Sequence, residues 1–307
     1  MAFVHARVEI AETAATIAAE GRFIEAAVDA IKAARREVEG QVRRDRFFLA
    51  TMEPYTPDGA GPTVRRMCES AKLAGVGPMA AVAGAVAQAG LEAMVALGCT
   101  HGWVDNGGDV ALVLDRPATM EVFHDPDAGS AFGLRLEPTE GVLGVCTSSG
   151  RLGHSISLGD SDVAVALADS AVLADALATA IGNRVRGPSS LSACFDPFKG
   201  IPGLLGGLAM ADGEVAVHGR LPELVEVEHS PERLTVHSGM PPKCYSCPSH
   251  AAQEVRPGSA SAPRGRRSQR RSPRRSCALA PSRHARTASH RTRRCLPPRR
   301  RAARRAG

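Results

Sequence analysis

The sequence predicts an α+β fold, a largely antiparallel sheet packed with helices, followed by a disordered basic tail. Three observations carry that prediction. Helical and strand patterns come in blocks, without the strict alternation of a doubly wound sheet. The first 240 residues carry enough apolar sequence for a real hydrophobic core. Charge then divides the chain: residues 250–307 hold 18 Arg, no Lys and one acid, Glu254, for a net +17, which leaves the first 249 residues at −11. The overall +6 averages two unlike segments and describes neither. The domain reading is therefore a body over 1–243 and an Arg/Pro/Ser-rich tail over 244–307.

Within the body, Phe23 to Glu39 reads as an amphipathic helix with Ile24, Ala27, Val28, Ile31 and Ala34 on one face. Arg35 and Arg36 fall in its last turn, and Gly40 is placed to stop it. Phe47-Phe48-Leu49 is an apolar anchor before a loop rich in turn residues, with Pro54, Pro57-Asp58-Gly59 and Gly61-Pro62. A second helix is expected over Val64 to Lys72. Gly75-Val76-Gly77-Pro78 is a break, and Pro78 suits the first turn of a third helix, Met79 to about Leu97. Val76 to Leu97 is the most apolar stretch. It is built of Ala and Gly and carries Gln88 and Glu92, which predicts a buried helix and not a membrane span.

Strands are expected at Gly102 to Asp105, Val110 to Leu114, Ala131 to Leu136, Gly141 to Cys146, Ile156 to Leu158 and Asp162 to Leu167. A helix follows over Ser170 to Ile181. Past Gly200 the chain reads as glycine-rich, with last strands at Leu224 to Val227 and Leu234 to His237. Of eight cysteines, those at 68, 99, 146 and 194 stand alone among small or apolar residues, as reduced thiols do. Met1 to Ile10 carries His5, Arg7 and Glu9, which is no secretory signal, so a cytoplasmic location is expected. Cys244-Tyr245-Ser246-Cys247 with His250 is only half of a zinc pattern; Cys277, His284, His290 and Cys295 lack a tight spacing to complete it.

Three segments carry chemistry. Val104-Asp105-Asn106-Gly107-Gly108-Asp109-Val110 puts two glycines between strands, either a plain hairpin turn or a place where backbone meets a ligand closely. Thr147-Ser148-Ser149-Gly150 offers hydroxyls and free N–H groups suited to phosphate oxygens, or is an ordinary polar loop. His154, four residues on, shares parity with Ile156 and Leu158 and so reads equally as a core histidine. Asp175 and Thr179 lie four apart, one helical turn, where a carboxylate and a hydroxyl suit a hard cation. The alternative is an Asp favoured by a helix N-terminal dipole alone.

In this order the three segments resemble the ApbE-like family, best known for Mg²⁺-dependent FAD:protein FMN transferases. The matching residues are Gly107-Gly108-Asp109, then Thr147 to Gly150 with His154, then Ala174-Asp175-Ala176-Leu177-Ala178-Thr179, within roughly 65 to 185. Gly77-Pro78-Met79-Ala80-Ala81-Val82-Ala83-Gly84-Ala85 and Cys146-Thr147-Ser148-Ser149-Gly150 look like an uncharacterised cytoplasmic branch of it. The resemblance implies a T-fold-like architecture, Mg²⁺ on Asp175 and Thr179, and FAD lined by Asn106 to Asp109 and Thr147 to Gly150. It further implies His154 as general base and a protein Thr or Ser as acceptor. One departure stands out. The transferases follow the histidine with Asp-Pro-x-x-Gly, and here the chain reads His154-Ser155-Ile156-Ser157-Leu158-Gly159-Asp160. That leaves a non-catalytic flavin- or nucleotide-binding module, or a redox-partner subunit, as the alternative. The sequence leaves homo-oligomerisation open.

The tail has almost no large apolar residue and cannot fold by itself. Its Arg runs, such as Arg299-Arg300-Arg301, suit nucleic acid if the segment is genuine. Basicity carried by Arg without any Lys is also what a GC-rich gene read in the wrong frame, or read through its stop, produces. DNA resequencing that returns an intact frame rejects the second origin.

Overall fold

The computed structural model describes residues 2–11, 13–125, 130–149, 159–227 and 243–244. The chain divides into two units, residues 1–251 and residues 252–307, and the second lies entirely outside the described residues. So do the expected strands at Ile156 to Leu158 and Leu234 to His237, and most of the half zinc pattern.

The first unit opens with a hairpin, β1 (Phe3–Ile10) and β2 (Thr13–Glu20), followed by α1 (Ile24–Arg44), α2 (Arg46–Ala50) and α3 (Pro62–Ala74). A 3₁₀ turn, Pro78–Ala81, leads into α4 (Val82–Ala96). Next come β3 (Gly102–Asn106), β4 (Asp109–Val113), β5 (Ala118–Asp125), β6 (Ser130–Leu136), β7 (Leu143–Ser148), β8 (Val163–Ala168) and α5 (Ala171–Gly182). The strands β9 (Leu204–Ala211), β10 (Glu214–Gly219), β11 (Glu223–Val227) and the short β12 (Lys243–Cys244) complete the described strands.

Among the described residues these strands form two sheets. One runs β10-β9-β8-β7-β4-β3-β2-β1-β12 and the other β11-β6-β5. Every pairing is antiparallel except β1 with β12. The α+β expectation with a largely antiparallel sheet holds.

Strand alternation gives the large sheet two apolar faces. On β8, Ala164, Ala166 and Ala168 join the core of the helices, whereas Val163, Val165 and Leu167 join the core under the small sheet with Met120, Leu134 and Leu136. On β4, Ala111 faces the helices and Val110 and Leu112 face the small sheet. The large sheet is thus the middle of three layers. Its small residues on one side let helices come close, and its larger ones fill the other.

Close approach is most demanding at α5. A Cβ on Gly144 of β7 would fall 2.4 Å from the Cα of Ala171, and one on Gly84 of α4 would fall 2.2 Å from the Ala171 carbonyl oxygen. No side chain fits at either position. Pro78–Ala96 has the length and apolarity of a membrane span, yet Ala81, Ala85, Val86, Ala87, Leu91 and Met94 are core residues, as the Ala/Gly composition led one to expect.

Four features depart from the sequence reading. Gly40 does not end α1, which continues to Arg44; a helical glycine costs only about 1 kcal/mol, and buried Val38 and Gln41 on the core face outweigh it. The β1–β2 hairpin was not foreseen, because Ala-rich β2 lacks the β-branched composition of a typical strand. β5 was likewise missed. The stretch past Gly200 forms β9 and β10; Gly206 and Gly207 lie within β9, where added Cβ atoms would meet Arg220 and Phe195.

The packing makes a paired prediction. Gly144→Ala drives a methyl into the Ala171 backbone and should lower stability by about 1–3 kcal/mol, read as a fall in Tm. Gly141→Ala, with open space around its Cβ, should change stability by less than about 0.5 kcal/mol. Equal Tm values for the two variants would contradict the close-packing account.

Candidate functional site

Asp175 and the β3–β4 glycine turn meet at the start of α4, and the end of β7 reaches that turn through Thr147. Asp175, on the second turn of α5, accepts a hydrogen bond at Oδ2 from the Gly84 N–H at 2.8 Å, and the Ala83 N–H also stabilises its carboxylate. The dipole that favours Asp175 is therefore that of α4, not of its own helix. Asn106, closing β3, donates from Nδ2 to the Ala83 carbonyl at 3.2 Å, which ties the glycine turn to the same end of α4.

That turn joins β3 to β4 with Gly107 at φ 73° and Gly108 at φ 99°. Both values lie in the left-handed region where glycine alone is unstrained. A Cβ on Gly107 would meet nothing within 4 Å, so the turn is open on that side. Asp105 holds it from beneath, accepting the Gly108 N–H at 2.9 Å, and the Thr147 hydroxyl donates to the Gly108 carbonyl at 3.2 Å. Asp109 pairs in register with Cys146 across β4 and β7. Ser148 is buried and Ser149 half-buried. Thr179 is half-buried one turn after Asp175. Gly150 and His154 lie outside the described residues.

Electrostatics set this place apart. Asp105, Asp109 and Asp175 are all buried. Burial pushes Asp105 up to about 6, partly offset by the Gly108 N–H. Burial likewise pushes Asp175 up to about 7, against the pull of Gly84 and Ala83. Asp109 is raised well above the carboxylate range, first by burial and then by repulsion from Asp175. The Cys146 thiol is raised well above its usual value by burial and by both carboxylates; it donates weakly to the Ala171 carbonyl at 3.4 Å. Asp109 Oδ1 is buried with no hydrogen-bond partner among the described residues.

Of the residues singled out in the sequence, the structure brings Asn106, Gly107, Gly108, Asp109, Thr147 and Asp175 together. The sequence reading missed Asp105, Cys146 and the α4 backbone. Asp105 stood inside the quoted motif and Cys146 inside the loop motif, but nothing in spacing shows which carboxylate faces inward. Ala83 and Gly84 lay in the Gly77 to Ala85 signature, and their contribution is main-chain N–H, which side-chain chemistry does not advertise.

The raised carboxyls fix the sign of the pH dependence. Between about pH 4 and 7 the folded state keeps protons that the unfolded chain has released, so their contribution is full below about pH 4 and is lost as pH rises through 6 to 7. Asp109→Asn removes one of the repelling groups. It should flatten the decline in Tm between pH 5 and 8 and raise stability at pH 8. Parallel Tm profiles for the two proteins would show that Asp109 does not belong to the coupled cluster.

The family described as AbpE bacteria matches residues 3–194, a span that includes every segment of this site. Similar relatives include the UPF0280 protein of Methanocella arvoryzae, 42% identical over 231 residues, covering 75% of this chain and 94% of the relative. Another, from Methanosarcina barkeri, is 40% identical over 230 residues, covering 74% and 91%. Among solved structures, the apo flavinyl transferase ApbE of Pseudomonas stutzeri aligns with TM-score 0.48 and 12% identity over 71% of this chain and 94% of that one. The flavin transferase ApbE from Vibrio cholerae aligns with TM-score 0.40 and 14% identity over 71% and 96%. The chain belongs to the family described as AbpE bacteria.

Proposed function

We propose that this protein is a cytoplasmic, Mg²⁺-dependent FAD-binding enzyme that cleaves the FAD pyrophosphate and passes FMN to a protein Thr or Ser, or to water. One observation carries the reading: the glycine turn and Asp175 meet at the α4 N-terminus, beside buried Asp109, which Asp175 repels. The family and its motifs support a flavin as the ligand. An ion fits the site's chemistry, because it relieves the repulsion between Asp109 and Asp175 and offers a partner to the orphaned Asp109 Oδ1. Carboxylate and hydroxyl oxygens are the donors Mg²⁺ takes. Among the described residues no three carboxylate, imidazole or thiol groups enclose a metal by themselves. Asp175 and Thr179 would therefore supply part of the shell, with substrate phosphate and water supplying the rest.

When bound, Mg²⁺ would offset the pyrophosphate charge and ease departure of AMP. The protein's own part is positional. Gly84 and Ala83 hold the Asp175 carboxylate in place. The Gly107-Gly108 turn, bare of Cβ, admits close approach by the ligand, and Asn106 and Asp105 keep that turn rigid. Beyond Thr147, whose hydroxyl proton goes to Gly108, Ser149 and Gly150 would offer donors to phosphate, and His154 would take the proton of the acceptor hydroxyl. A second reading, flavin binding without transfer, is favoured by the absence of Asp-Pro after His154.

Titration of the full chain with FAD, followed by flavin fluorescence quenching, should show binding that needs Mg²⁺. Asp175→Asn keeps an oxygen for the Gly84 N–H while removing the charge. It should weaken that binding by about tenfold or more with the fold intact. Affinity indifferent to both Mg²⁺ and Asp175→Asn would sink the proposal. AMP release on incubation with FAD separates transferase from binding module.

A further inference from the structure

The edge of the large sheet at β10 carries a pattern that neither the fold nor the flavin site uses. Edge strands of stable proteins are usually blunted by Lys, Pro or a bulge, because an open edge invites another strand. β10 has no Lys and no Pro, and its pairing with β9 runs without a register shift from Glu214↔Ala211 to Gly219↔Gly206. Val215 is 50% exposed and Val217 61%. They lie opposite Met210 and Leu208, on the sheet face shared with the three-stranded sheet. Among the described residues no strand pairs with the outer side of β10.

The sequence around this edge is complementary to itself when reversed. Asp212-Gly213-Glu214-Val215-Ala216-Val217-His218-Gly219-Arg220 reads outward from Ala216 as Val/Val, Glu/His, Gly/Gly and Asp/Arg. A second copy laid antiparallel about Ala216 sets Val215 against Val217 and Glu214 against His218. Each acid meets a base and each apolar residue an apolar one.

Backbone geometry agrees with that register. Asp212 and Gly213 form a two-residue turn with φ 49° and 80°, so Ala211 and Glu214 are the closing hydrogen-bonded pair. The N–H and C=O groups of Glu214, Ala216 and His218 therefore point at β9, and those of Val215 and Val217 point outward. Those outward groups are the ones that a two-fold at Ala216 brings together. The two Ala216 residues would then form a non-hydrogen-bonded pair, where side chains are closest and small ones fit best. His218 is already held by stacking on Phe195, with ring centroids 5.6 Å apart.

We propose that β10 is a homodimerisation edge at which two copies of this chain pair antiparallel across a two-fold axis at Ala216, continuing the large sheet from one subunit into the other. Four valines form its apolar side, and two Glu214–His218 pairs form the other. The charge pattern selects a copy of this chain over an unrelated strand. The interface is small, which predicts a dissociation constant on the order of micromolar.

Sedimentation velocity of the full chain over roughly 1 to 200 µM should show a monomer–dimer equilibrium. Val217→Lys, at an exposed position that leaves Tm unchanged, should weaken association by about tenfold or more. Glu214→Lys should weaken it as well, and adding His218→Glu should restore it. Ala216→Cys should yield an interchain disulfide on mild oxidation, mapped by mass spectrometry to position 216 in both chains, because that spacing suits the bond. A protein monomeric throughout would overturn the proposal. So would a dimer indifferent to Val217→Lys that gives no disulfide at position 216.

Discussion

The fold turns on two helices that cap each other. Neither α4 nor α5 carries a side-chain cap of its own. Gln88 of α4 accepts from the Ala171 N–H at 2.8 Å, the Ser170 hydroxyl at 2.9 Å and the Val172 N–H at 3.4 Å at the start of α5. Asp175 of α5 accepts from Gly84 at the start of α4. The first N–H groups of a helix have no partner within it, and burying them unpaired costs roughly 1–3 kcal/mol each. Here each helix supplies the acceptor that the other lacks. The exchange needs the backbones close together, and Gly84 and Gly144 supply that closeness. Gln88 in turn donates to Glu92, which Arg66 of α3 grips through both carboxylate oxygens, so the same network reaches a third helix.

A site follows from this arrangement. Holding Asp175 against α4 places a carboxylate beneath the sheet, where β4 and β7 already present Asp109 and Cys146 to the helix side. The β3–β4 turn is pinned to α4 by Asn106 and held by Asp105. A purely structural helix cap does not need a further carboxylate, Asp109, beside it, and the repulsion between the two opposes folding. That opposition is the kind of local conflict functional sites carry. A hard cation and the phosphates it brings would resolve it.

The sequence exposed the fold through its apolar patterns and hid the parts that depend on small residues. α1, α3, α4 and α5 were readable from periodicity and from Gly75 and Pro78. β2 and β9 were not, because alanine and glycine on a strand face carry no hydrophobic signal until the helix that packs on them is known. Gly40 misled for the opposite reason, since a glycine within a long helix is tolerated when Val38 and Gln41 beside it are buried. In the site, family motifs located the turn, the hydroxyl strand and Asp175. Asp105 and the α4 N–H groups emerged only once chain segments as far apart as Gly84 and Asp175 were seen in contact.

The central claim is that the buried carboxylates beside the α4 N-terminus form a cation-dependent nucleotide site. Crystals grown with FAD and Mn²⁺ in place of Mg²⁺ test it most directly, through the anomalous signal of the metal. The account predicts a peak within about 2.5 Å of an Asp175 oxygen, with nucleotide phosphate as a further ligand. A nucleotide bound elsewhere, or a metal peak remote from Asp175, would contradict it.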